Sequence, residues 1–123
     1  MSLYRQEILE RWRFPRYRGI VKNPDLQAEV ANAFCGDEVG LFIRLDQKRQ
    51  SAAEIRFSGQ GCALMIASAD ILCGAVAGKT IEELRRFSAE DLLALYGEPP
   101  TPARLKCVLL PYEALRQSLR AVF

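Results

Sequence analysis

Four cysteines and no histidine stand in this chain of 123 residues, and that combination restricts its inorganic chemistry. A soft metal bound here has to be held by thiolate, with carboxylate or lysine filling the remaining positions. Three thiols lie in segments that can present sulfur to a metal. These are Cys35 in Cys35-Gly36-Asp37, Cys62 after Gly59-Gln60-Gly61, and Cys107 directly after Lys106. Glycine beside a cysteine lets the backbone take positive φ and approach an inorganic centre without a Cβ in the way. Asp37 adds a hard oxygen among soft sulfurs, which grips a thiophilic ion less firmly than a fourth cysteine would. A turn or cap role explains an aspartate at that position equally well. Lys106 is placed to draw a neighbouring thiol toward thiolate, or simply to solvate a surface. Cys73 is the contrast. Eleven residues along the same helix from Cys62, or ~16 Å at helical rise, it is too far away to share a ligand and reads as a buried small hydrophobe.

The elements that must position these residues can be read from periodicity. Tyr4, Ile8, Leu9 and Trp12 recur at helical spacing and Pro15 ends the pattern, which predicts an amphipathic helix over 3–13. Gly19 to Asp25 is a loop. Three segments of period two follow: Gln27–Ala33, then Glu38–Asp46 with Val39, Leu41, Ile43 and Leu45 on one face, then Ala52–Ser58 with Ala53, Ile55 and Phe57 on one face. Short connections at Cys35-Gly36 and Gln47–Gln50 make them an antiparallel meander. Gly59-Gln60-Gly61 then leads into an apolar helix from Cys62 to Ala77, closed by Gly78. Thr80 with Glu83 and Ser88 with Asp91 are capping boxes opening two more helices. Pro99, Pro100 and Pro102 bar helix. Leu105, Val108, Leu109, Tyr112, Leu115, Leu119 and Val122 then mark a C-terminal helix, which Pro111 either kinks or restarts. Strands first and helices after give an α+β fold in one domain, 1–123.

In such a meander the first turn and the exit of the third strand share one end of the sheet, so strand direction alone collects Cys35, Asp37 and Cys62 there. Cys62 also opens a helix, whose positive end favours thiolate. Only Cys107 needs tertiary packing to join them. Taken singly, each of these cysteines is explained as well by burial, and no C-x-x-C pair is present to decide otherwise.

Composition excludes several classes. With 50% apolar and 26% charged residues the chain is an ordinary globular one, neither disordered nor low in complexity. The longest apolar stretch, Ala63–Ala77, is broken by Ser68, Asp70 and Gly74 and is too short to span a bilayer. No signal-peptide core precedes it, so reduced thiols and a cytoplasmic location are expected, with no membrane role. The net charge of +2 hides an asymmetry. Residues 1–22 hold six basic against two acidic side chains and residues 102–123 hold four against one, so both ends can face an acidic partner. Solvated helix faces explain the same charges, and nucleic acid is not expected.

Cys35-Gly36-Asp37, then Gly59-Gln60-Gly61-Cys62 with Ala67-Ser68-Ala69, then Ala103-Arg104-Leu105-Lys106-Cys107, resemble the NifU-like (IscU/SufU) iron–sulfur scaffold family. Arg13-Phe14-Pro15-Arg16 with Gly19 resembles its N-terminal N-P-R-x-x-G signature, with Phe14 in place of asparagine. The resemblance implies a scaffold that takes sulfur from a cysteine desulfurase, assembles a transient [2Fe–2S] cluster and passes it to acceptor proteins. It implies Cys35, Cys62 and Cys107 as cluster ligands, joined by Asp37 when the cluster-free protein holds zinc. A zinc-dependent sulfur acceptor of the SufU type is the alternative, with Lys106 in its favour and that branch's insertion before Lys106 missing. A purely structural zinc protein is a third reading. The L-P-P-V-K chaperone site of the histidine-bearing branch is replaced by Glu98-Pro99-Pro100-Thr101-Pro102, so a dedicated chaperone is not expected. Cys35, on a strand-connecting turn, is the expected first acceptor of sulfur.

Overall fold

A computed structural model describes residues 3–33 and 36–120. The order is α1 (Leu3–Arg13), β1 (Leu26–Ala31), β2 (Glu38–Leu45), β3 (Ala52–Gln60), α2 (Ala63–Val76), α3 (Ile81–Arg86), α4 (Ala89–Tyr96) and α5 (Pro102–Leu119). The strands form one antiparallel sheet in the order β1-β2-β3, the expected meander. Val39, Leu41, Ile43 and Leu45 are buried on its inner face, with Leu26 and Val30 from β1 and Ile55 and Phe57 from β3. Helices α2 and α5 cover that face, α5 over β1 and β2 and α2 against β3, while α1 packs on α2.

Three details differ from the sequence reading. Ala53 is exposed and Ala52 is the inward residue, because the register shifts between Arg44 and Leu45. An extra residue in one strand turns the side chains before it to the opposite face. Strand β3 runs on to Gln60, so Gly59 and Gln60 pair with Val39 and Glu38 rather than forming a loop. Pro102 begins α5 instead of barring it, since the first helical position has no use for an amide. Pro111 lies inside that one helix, buried, without a fresh start.

The N-terminal helix buries little. Ile8 is in the core, but Trp12 is 43% exposed; Tyr4's side chain and Val122 lie outside the described side chains and residues. Beyond α1 the chain hugs the outer edge of β3: the Gly19 amide donates to the Phe57 carbonyl at 2.7 Å and the Phe57 amide to the Tyr17 carbonyl at 2.9 Å. Both predicted capping boxes are present, with the Thr80 and Ser88 hydroxyls accepting from the amides of Glu83 and Asp91. Among the described residues, no helix is long and apolar enough to cross a membrane.

Candidate metal centre

Three elements deliver one side chain each to the same point. Asp37 stands just before β2 and is 4% exposed, Cys62 is the N-cap of α2, and Cys107 lies on the first turns of α5 and is 3% exposed. One carboxylate oxygen of Asp37 and the sulfurs of Cys62 and Cys107 all lie within 4.8 Å of one another. Cys35 is outside the described residues, so the fourth expected ligand has no position to report.

The local backbone explains why the carboxylate sits there. The β1–β2 connection closes through Asn32, whose amide donates to the Asp37 carbonyl at 2.8 Å while its carbonyl accepts from Gly36 at 2.9 Å. Gly36 has φ +76°, a conformation glycine adopts freely. Gly59 has φ +150°, and a Cβ there would run into the Glu38 carbonyl oxygen. A Cβ on Gly61 would lie 2.6 Å from Oδ1 of Asp37. The hydrogen at Gly61 is therefore what leaves room for the carboxylate.

Asp37 makes two contacts across this gap. Its Oδ1 accepts from the Cys62 amide at 3.2 Å, and its Oδ2 accepts from the Cys62 thiol at 3.5 Å. A carboxylate at the amino end of α2 meets unsatisfied amides and the favourable end of the helix dipole. Asp37 is thus a cap of α2, lent from the neighbouring strand, as well as a candidate ligand.

Cys107 is held by a different device. Pro111 has no amide to offer the Cys107 carbonyl, which disturbs the ladder of α5 at this level. The adjacent Val108 carbonyl accepts from the Ser68 hydroxyl at 2.6 Å in the buried contact of α2 with α5. That bond fixes the two helices to each other six residues past Cys62 and one past Cys107. Lys106 is exposed on α5.

The donor set fits a tetrahedral thiophilic ion. Ligands about 2.3 Å from a centre stand ~3.7 Å apart along a tetrahedral edge. The 3.5 Å separation of Cys62 Sγ from Asp37 Oδ2 is already close to that. Two sulfurs and one oxygen leave a position for a further ligand.

Two further buried polar groups are not evident from the sequence, one in electrostatic reach of Cys62 and one farther along α2. Tyr96 closes α4 and is buried; burial first, then Cys62 and Glu98, together push its phenol up to about 12. Its phenol lies within electrostatic reach of Cys62. With Leu64, Glu98, Pro99 and Pro100 it also lines a groove of about 440 Å³ between α1 and the start of α5. Asp70 on α2, completely buried, accepts from Nη1 of Arg11 at 2.9 Å and from the Tyr17 amide at 2.8 Å. Cys73, beside it, is fully buried; burial holds its thiol well above the ordinary range and Asp70 adds to the shift. It takes no part in the cluster of ligand atoms.

An antiparallel meander covered by helices, with a carboxylate and two thiols gathered at one end, defines a small α+β thiol-ligand domain. The family model described as NifU-like N terminal domain matches residues 3–122, and the chain belongs to that family. It is 30% identical to the zinc-dependent sulfurtransferase SufU of Bacillus subtilis (strain 168), over 96% of this chain and 90% of that protein. It is 24% identical to the iron-sulfur cluster assembly scaffold protein IscU of Thermotoga maritima, over 98% of this chain and 94% of that one. The crystal structure of FiSufU, assigned to the SUF system of Fervidobacterium islandicum AW-1, superposes with a TM-score of 0.80 at 27% identity, covering 97% of this chain and 96% of that chain.

Proposed function

We propose that this protein is an iron–sulfur cluster assembly scaffold acting as one domain over residues 1–123. It accepts sulfur from a cysteine desulfurase, holds iron or zinc through Cys35, Asp37, Cys62 and Cys107, and passes a [2Fe–2S] cluster to acceptor proteins in the cytoplasm. The observation that carries this reading is the meeting of Asp37, Cys62 and Cys107 within 4.8 Å in a chain of this family. The first step is thiol exchange: a thiolate attacks the outer sulfur of the desulfurase persulfide, the new S–S bond forms on the scaffold, and the desulfurase thiolate leaves. Cys35 is the proposed acceptor, because Cys107 is buried and Cys62 is engaged with Asp37. Lys106, one residue before Cys107, would favour the thiolate form nearby.

The second reading, a zinc-dependent sulfur acceptor, is favoured by the Bacillus subtilis relative and by the 3.5 Å approach of the Cys62 sulfur to the Asp37 carboxylate. Anaerobic incubation with ferrous iron, cysteine and a cysteine desulfurase, followed by visible absorption and metal analysis, separates the two. A scaffold develops charge-transfer bands and gains iron and sulfide. A chain that keeps stoichiometric zinc, gains a persulfide and takes up no iron is an acceptor instead.

A further inference from the structure

The end of α5 farthest from Cys107 carries a second concave site. Tyr112 and Arg116 on α5 and Arg120, its C-cap, follow one another at intervals of four, and the Arg116 guanidinium lies 6.0 Å from the Tyr112 ring centroid. Facing them across a groove of about 350 Å³ are Leu84 and Arg85 of α3 and Phe87, the residue that caps it. Leu84 and Leu119 form an apolar floor, and Arg85, Arg116 and Arg120 line the groove around it. Among the described residues, no carboxylate lines the groove. Of the nearby acids, Glu82 pairs with Arg86 at 3.7 Å, Glu83 and Asp91 close the capping boxes of Thr80 and Ser88, and Glu113, exposed on α5, does not line the groove. No salt bridge joins Arg116 or Arg120 to a described carboxylate.

We propose that this groove is a docking site for an acidic segment of a partner protein, anchored by one aromatic or branched aliphatic side chain between flanking carboxylates. Guanidinium forks match carboxylates in a bidentate geometry, and the apolar floor with its two rings takes the anchor. Charge complementarity selects a protein segment of this composition. The floor favours an apolar side chain over a sugar-phosphate backbone, and the walls come from two helices only, so a free small molecule would stay open to water on its other sides. A peptide closes the groove with its own backbone. Nine residues of α5 separate Cys107 from Arg116, ~14 Å at helical rise, so a segment held here leaves the metal centre uncovered. The site tethers a partner without blocking the thiols, and it stands independently of the scaffold reading.

Random nonapeptides displayed on phage, selected on the immobilised full chain and counter-selected on an Arg116→Glu/Arg120→Glu variant, test this. Both positions are exposed, so the variant should keep its fold by circular dichroism. Enriched peptides should hold two or more carboxylates around one aromatic or branched residue. A synthesised winner should bind the variant at least about tenfold more weakly and weaken with added salt. Its amide shift changes should cluster at 84–87 and 112–120, and a Cys62→Ala chain should bind it like the wild type. No enrichment, enriched peptides that bind the variant equally well, or a short single-stranded RNA or inorganic phosphate filling the groove as tightly as the peptide would each overturn the proposal.

Discussion

Two buried aspartates serve α2 in opposite ways. Asp70, in the middle of the helix, faces the Arg11 guanidinium at 2.9 Å and the Tyr17 amide, so its charge is answered within the fold. Asp37, at the helix's amino end, meets one amide and one thiol, and no salt bridge joins it to a described lysine or arginine. A buried carboxylate without a cation is costly unless something neutralises it. Asp70 is a structural tie between α1 and α2; Asp37 is the position where the proposed metal ion would supply the missing positive charge. The thiols repeat the division. Cys73 sits beside Asp70 in the core, and Cys62 sits beside Asp37, half-buried at the N-cap.

The largest effects should come from the Asp37 end. Cys62→Ala or Cys107→Ala should reduce co-purified zinc or iron to a small fraction of wild type, measured by elemental analysis, while Cys73→Ala leaves it unchanged. A Cys73 variant as poor in metal as the others would erase the distinction between the two ends. Gly61→Ala should lower metal content without a large loss of stability, because its Cβ would displace the Asp37 carboxylate from 2.6 Å away.

At the other end the readout reverses. Arg11→Ala leaves Asp70 buried and without its cation, and should cost about 2–3 kcal/mol in urea unfolding, less than for a fully buried pair because Arg11 is partly exposed. Metal content should be preserved. Loss of metal with unchanged stability would mean that the Arg11–Asp70 pair belongs to the site.

Smaller effects sharpen the contrast. Asp37→Ala should slow cluster transfer to an acceptor, since replacing the hard ligand removes the labile position; equal rates would reduce Asp37 to its capping role. Tyr96→Phe should leave metal content intact and shift the absorption of the bound centre slightly, by removing a polar hydroxyl in electrostatic reach of Cys62. The smallest effect concerns a surface carboxylate. Glu83 is held below its ordinary range chiefly by the Thr80 amide, so its contribution is present above about 4.5, the ordinary value for glutamate, and disappears as pH falls through its lower folded value. Glu83→Gln should therefore flatten the acid limb of the stability curve slightly and do nothing to the metal.

Much of the architecture was legible in local patterns. Periods of two and 3.6 located the strands and helices, because a strand or helix must turn its apolar residues to one side. The capping boxes at Thr80 and Ser88 marked two helix starts, and strand direction placed Asp37 and Cys62 at one end of the sheet. The bulge that turns Ala52 inward was not legible, since Ala52 and Ala53 are the same residue type and the apolar pattern reads equally well with either one facing the core. Nor was the extension of β3 to Gln60, where glycines suggested a loop.

What the sequence by itself determined is the ligand chemistry: without histidine, thiols and a carboxylate are what it offers a soft metal. The tertiary structure alone decided that Cys107 joins Asp37 and Cys62, through the Ser68–Val108 bond that seats α5 on α2, and that Asp70 finds its guanidinium in Arg11. These contacts join residues 40 and 59 positions apart in the chain. Periodicity carries no record of such pairings, because it reports which face of an element is buried and not which element it is buried against.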